Sequence, residues 1–200
     1  QKNSIGVRVE KIPNGVDVSV FNPDVKPIKT NLPRPIFLCV AAFENNKQID
    51  KTIKAVAGLE KGSLLLIGVG SLENELTELG KNLLPGRFKI EKVFEERASY
   101  YATCDVFTMT PISAESFGMV YLEAMATGKP VVATDDPIRR EIIEEAGLFV
   151  NPDNTREYTN ALQLALEKNW GDKPRIQARK FSWEEVAKKY DQLFHNLTGL

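Results

Sequence analysis

Asp105 to Thr134 reads DVFTMTPISAESFGMVYLEAMATGKPVVAT, and this stretch decides the fold. Val106 to Met109 is a short apolar run. Pro111 and Ser113 mark a loop, and Glu115-Ser116-Phe117-Gly118 leads into a helix of about ten residues. Gly128 with Pro130 two places on is a helix stop, and Val131-Val132-Ala133 opens the next strand. The helix, Met119 to Ala126, is apolar nearly all round, which predicts burial on most faces. Glu123 is the only charge between Ser116 and Gly128. A lone buried carboxylate is costly, so it needs a partner or a job.

The same alternation extends in both directions. Ile36 to Ala41 and Leu64 to Ile67 are continuous apolar runs of the kind buried on both faces of a parallel sheet. Helical stripes cover Ile49 to Leu59, Leu72 to Leu84, Arg97 to Cys104, Ile138 to Glu145 and Thr155 to Lys168. A mixed strand spans Arg87 to Val93, and Leu148 to Val150 is the last strand. Alternation with short connections predicts an α/β fold: an open, doubly wound, parallel sheet of about six strands with helices on both faces. Ligands then belong beyond the carboxyl ends of the strands. Residues 1–35, rich in proline, read as a lead-in rather than a core, 36–181 as the main domain, and 182–200 as a closing amphipathic helix. That helix opens on the capping box Ser182-Trp183-Glu184-Glu185 and carries Val186, Tyr190, Leu193, Phe194 and Leu197 on one side.

Composition narrows the function. A net charge of −1 argues against a nucleic-acid surface. No apolar run reaches the length of a membrane span, and no signal peptide is visible. His195 is the only histidine, which removes histidine-based triads and histidine-rich metal sites. Cys39 and Cys104 fall in or beside apolar strands and read as buried thiols of a reducing compartment, so a cytoplasmic location is expected. Asn196-Leu197-Thr198 matches a glycosylation acceptor by chance. The chain opens at Gln1 without an initiator methionine, and we expect it to be a fragment of a longer protein.

Two patterns carry chemistry. Gly68-Val69-Gly70 follows a strand and opens a helix, as in dinucleotide-binding turns, but the third glycine of that fingerprint falls on Glu73. A tight strand-to-helix turn accounts for it without a nicotinamide cofactor. The acid pair is more specific. Glu115 and Glu123 are separated by seven residues, and between them Ser116-Phe117-Gly118-Met119 supplies N–H groups at a helix N-terminus, an anion site that needs no metal. Glu123 lies ~7–9 Å further along the axis, the reach from a diphosphate to a sugar hydroxyl. Otherwise Glu115 is solvated and Glu123 is paired to a buried Lys or Arg.

The run from Glu115 to Ala133 resembles the Glu–seven–Glu signature of retaining glycosyltransferases of family 4, the glycosyl transferases group 1. The resemblance covers nearly the whole chain. It includes Ile12-Pro13-Asn14-Gly15-Val16-Asp17, Phe21-Asn22-Pro23, Leu66-Ile67-Gly68-Val69-Gly70, Tyr101, Asp105-Val106-Phe107, Gly147 to Pro152, and Phe181-Ser182-Trp183-Glu184. It implies the C-terminal, Rossmann-like half of a two-domain GT-B enzyme, binding a UDP-, GDP- or ADP-sugar for retaining transfer of a hexose, with no metal and no cofactor. Glu115 would bind the transferred sugar, and Ser116, Phe117, Gly118, Met119 and Val120 the sugar and diphosphate. Glu123 would hold the ribose, and Lys47 would neutralise the leaving diphosphate. The acceptor would sit on an N-terminal domain with no counterpart here, through which peripheral membrane association is conceivable; the chain alone is expected to be inactive.

Three positions depart from the family pattern. Ala41-Ala42 stands where Gly-Arg is common, Ile90-Glu91-Lys92 where a glycine is frequent, and Asp136-Pro137-Ile138 where Gly-Gly is frequent. Arg139 and Arg140 read as a solvated helix face, with replacement of the lost arginine as the alternative. The loss of that arginine also motivates a second reading, a non-catalytic nucleotide-sugar-binding or scaffold module on the same fold.

Overall fold

In the computed structural model, which describes residues 9–93, 95–112 and 117–198, the apolar runs form one parallel sheet. Its strands are β1 (Ile36–Val40), β2 (Ser63–Ile67), β3 (Phe88–Glu91), β4 (Val106–Met109), β5 (Val131–Thr134) and β6 (Gly147–Val150). The order across the sheet is β3-β2-β1-β4-β5-β6. Every residue of β1, β2 and β4 is buried, because helices cover both faces. The edge strands β3 and β6 are only partly buried, and β3 carries the mixed sequence.

The helices are α1 (Ile49–Ala57), α2 (Glu73–Leu83), α3 (Arg97–Thr103), α4 (Met119–Ala126), α5 (Pro137–Ile143), α6 (Thr155–Glu167), α7 (Lys173–Arg179) and α8 (Trp183–Thr198). On one face α1 packs against α2 and α6; on the other α4 packs against α3, α5 and α7. The α4 helix is buried along six of its eight residues, Tyr121 to Ala126, as its all-round apolarity requires. Where α1, α6 and β4 meet, the buried Tyr158 hydroxyl bonds to Thr52 at 3.1 Å and to Thr108 at 2.5 Å.

The structure differs from the sequence expectation in three places. The lead-in contributes to the core: Val16 pairs with the chain at Phe181 to Trp183 through main-chain bonds of 2.8 and 3.2 Å. Buried Phe21 meets Tyr101 edge-on at 5.7 Å. A short helix, α7, occupies a segment in which no element was expected. The apolar stripe of α8 buries Val186, whereas Tyr190, Phe194 and Leu197 are 46%, 57% and 66% exposed. Half of the expected capping box forms: Glu185 N–H donates to Ser182 Oγ at 3.2 Å, while Ser182 N–H donates to Arg179 O at 3.1 Å.

Candidate functional site

The order of the sheet reverses at β1, between β2 and β4, and this is the switch point at which doubly wound sheets bind ligands. Beyond it, Ala41 and Ala42 leave β1 and the chain turns into a 3-10 segment, Asn45–Lys47. Two hydrogen bonds from Ser71, its N–H at 3.1 Å and its hydroxyl at 2.8 Å, reach the Glu44 carboxylate and tie this segment to the β2–α2 turn. The Ile112 N–H donates to Asn46 O at 2.9 Å and ties it to the loop leaving β4. Lys47, half-buried at the end of the segment, is thus held from both sides.

The glycine pair in the β2–α2 turn has a packing explanation. Gly68 has φ +154°, and a Cβ there would lie 1.9 Å from the Ala41 carbonyl oxygen. A Cβ on Gly70 would lie 2.5 Å from Phe43 O. The turn is closed against β1 by Phe43 N–H on Val69 O and Leu72 N–H on Phe43 O. The two loops touch main chain to main chain, as the tight-turn reading requires.

Two adjoining clefts of about 330 and 280 Å³ open on this rim. Both include Val40, Ala41, Ala42 and Val120, so they form one trough. The first adds Lys47, Asn14, Met109, Phe117, Gly118 and Met119. The second adds Ile67, Gly68, Val69, Val93 and Arg97. The structure therefore gathers Lys47 with Phe117, Gly118, Met119 and Val120 around one space. Glu115 and Ser116 lie outside the described residues.

The α4 helix presents its N-terminus to that space. Gly118 precedes it with φ +80°, a left-handed conformation that favours glycine, and a Cβ there would meet the Tyr121 ring at 2.6 Å. Tyr121 in turn donates to Met109 O at 2.8 Å, fastening the helix to the end of β4. The first amides of a helix have no partner within it and carry a partial positive charge. Together with the Lys47 ammonium they give the first cleft a positive electrostatic character.

Glu123 sits one turn deeper, 5% exposed, and is not among the residues lining either cleft. Its Oε2 accepts from the Tyr101 hydroxyl at 2.6 Å, and its Oε1 stands 3.5 Å from Arg97 Nη2. Burial and the neighbouring Glu123 charge hold the Tyr101 phenol well above its ordinary pKa, so it remains a donor. The partner of the buried acid is thus a phenol and a half-exposed arginine rather than a buried Lys or Arg.

Arg139 corrects the reading of a solvated helix face. It is fully buried, 3.4 Å from the Asp136 carboxylate that caps α5. Only Arg140 is on the surface, bonded to Asp135 and lying over Phe149. Neither arginine lines the trough, so neither stands in for the arginine missing at Ala42. Among the described residues, no group of three or more His, Cys, Asp or Glu side chains converges to hold a metal ion. No helix among them is long and apolar enough to cross a membrane.

A family model, glycosyl transferases group 1, matches residues 21–193. The chain belongs to this family. An uncharacterized glycosyltransferase of Methanocaldococcus jannaschii is 33% identical over 171 residues, covering 78% of this chain and 48% of the relative. Sucrose-phosphate synthase from Thermosynechococcus elongatus superposes with a TM-score of 0.78 at 30% identity, over 94% of this chain and 52% of the other. HepE of Anabaena, solved in complex with UDP, also gives 0.78, at 22% identity over 94% of this chain and 57% of the other. The structural neighbours are GT-B glycosyltransferases. The chain spans about half the length of the curated relatives it matches.

Arg97 and Asn14 are site residues that sequence reasoning missed. Arg97 opens a short helix, and an exposed-looking arginine in sequence carries no signal of what it faces. Asn14 enters the sequence reading only within the Ile12 to Asp17 run that carries the family resemblance. The one usable signal was the buried acid itself, which required a partner somewhere.

Proposed function

We propose that this chain is the C-terminal, donor-binding half of a retaining glycosyltransferase of family 4. The donor is a UDP-, GDP- or ADP-sugar, and the acceptor of the hexose is held by an N-terminal domain of the complete protein. The observation that carries this reading is the convergence of Lys47 and the α4 N-terminus on one cleft at the switch point of the sheet. The UDP complex of a protein with this fold supports a nucleotide partner.

The residues suit the reaction. As the bond between the sugar C1 and the diphosphate oxygen breaks, positive charge builds on the sugar ring and negative charge on the leaving diphosphate. The ammonium of Lys47 and the N–H groups of Phe117, Gly118, Met119 and Val120 stabilise that diphosphate in place, without reorganising. Glu115, with Ser116 beside it, takes hydroxyls of the transferred sugar, and the acceptor hydroxyl forms the new bond to C1 on the face the diphosphate leaves, its proton passing to the departing diphosphate oxygen. Glu123 accepts from the ribose hydroxyls, with Tyr101 holding its other oxygen. No metal is required for any of these roles.

Calorimetry with UDP-, GDP- and ADP-sugars and no added metal tests the donor site. At least one should bind, and Lys47→Ala and Glu123→Ala should each weaken it about tenfold or more, the loss of one charge-assisted contact. No binding by the folded protein would sink the reading. A second reading, a binding module without catalysis, is favoured by one observation: among the described residues, Lys47 is the only charged side chain lining the first cleft. Sugar transfer by the complete protein, abolished by Glu115→Ala, would exclude it.

A further inference from the structure

The second cleft differs in kind from the first. Its lining is apolar side chain and main chain, with Gly68 leaving no room for a side chain on one wall. Among the described residues lining it, Arg97 is the single charged one. A guanidinium offers N–H donors and no acceptor. The contact of Arg97 with Glu123, at 3.5 Å, is too long for a hydrogen bond, and its side chain is 42% exposed. It is therefore held loosely at the boundary between the buried acid and the cleft.

We propose that Arg97 is a specificity-determining residue that selects a nucleoside diphosphate whose base presents a carbonyl oxygen, uracil or guanine, over adenine. This rests on the donor-site reading above. Ribose hydroxyls that take the Glu123 Oε1 displace Arg97 from its long contact and place the base in the cleft that Arg97 lines. There the guanidinium donates to uracil O4 or guanine O6. At that position adenine carries an amino group, a donor facing a donor, which leaves the guanidinium only a ring nitrogen beside it in place of the exocyclic oxygen. The same preference governs arginine and glutamine elsewhere: arginine pairs with guanine and glutamine with adenine.

The test is isothermal titration of UDP, GDP and ADP into the complete protein, its Arg97→Gln variant and its Glu123→Gln variant. The wild type should bind UDP and GDP about tenfold or more tightly than ADP, the discrimination of one good base contact. Arg97→Gln should bring the three within about threefold by weakening UDP and GDP and strengthening ADP. Glu123→Gln should weaken all three in parallel and keep their ratio. Equal binding of all three to the wild type, or a ratio that survives Arg97→Gln, overturns base selection and leaves the donor site standing. Failure of all three to bind overturns both.

Discussion

A carboxylate inside an apolar helix must be kept charged by something, and for Glu123 the two partners differ in kind. The Tyr101 phenol is fully buried and fixes one oxygen at 2.6 Å; Arg97 is half in solvent, and its contact is long. Most of the stabilisation should therefore come from the phenol, since exposed ion pairs contribute little. Tyr101→Phe keeps the ring contacts with Phe21 and Phe107 and removes only the donor. It should destabilise the fold by about 1–3 kcal/mol, lowering Tm by about 3–10 °C in a chain of this size. A melt within a degree of wild type would show that Arg97 alone suffices. The acid was legible in the sequence because it is the one charge in an apolar run. Its partners were not: Tyr101 lies 22 residues away in the chain, and pairing at that separation is a product of the fold. Arg139 was misread for a related reason. In a helix of seven residues with two adjacent arginines, hydrophobic periodicity does not say which one points inward.

At the scale of elements, the strands were the most legible feature, because a strand covered on both faces must be apolar at every position, as β1, β2 and β4 are. The turns were legible through glycine and proline. The α7 helix was not. Only Pro174, Gln177 and Ala178 of its seven residues are buried, too few to show a stripe, and the hint lay in Asp172-Lys173-Pro174, with proline in the first turn. The glycine turn after β2 looked ambiguous because a phosphate-binding turn and a close main-chain contact use the same residue. The structure separates them by the 1.9 Å that a Gly68 side chain would leave to Ala41 O. Main chain cannot step aside as a flexible side chain can, so Gly68→Ala should cost about 2–3 kcal/mol, the upper end of overpacking. Urea unfolding measures this directly, and an unchanged midpoint at unchanged slope would mean that the β1 and β2 loops separate easily.

For the whole molecule, the core that carries the site also sets its tolerance to pH. Burial pushes the Cys39 and Cys104 thiols up to about 12 from 9.0, and the Tyr158 phenol to about 12 from 10.0. Tyr101 and Tyr121 are raised further, again by burial first. Below about pH 8 these groups are protonated in both the folded and the unfolded chain, so they add no pH dependence. Above it the unfolded chain loses protons that the folded chain keeps, the folded state binds more protons, and stability falls as pH rises. The carboxylates with lowered pKa values pull the other way. Asp17, Glu44, Asp135 and Glu145, each held down chiefly by hydrogen bonds, stabilise the fold above the ordinary carboxylate range and cease to as pH drops through it. All four are at the surface, where such contributions are small. The alkaline limb should dominate: Tm stays level from about pH 7 to 8 and falls steadily between about pH 8 and 12, as thiols and then phenols of the unfolded chain ionise. Cys39 and Cys104 should resist alkylation at neutral pH for the same reason, since the thiolate is the reactive form. A Tm that holds level through pH 11 would place these groups at ordinary values in the folded chain, and with them Tyr101, whose retained proton keeps it a donor to Glu123.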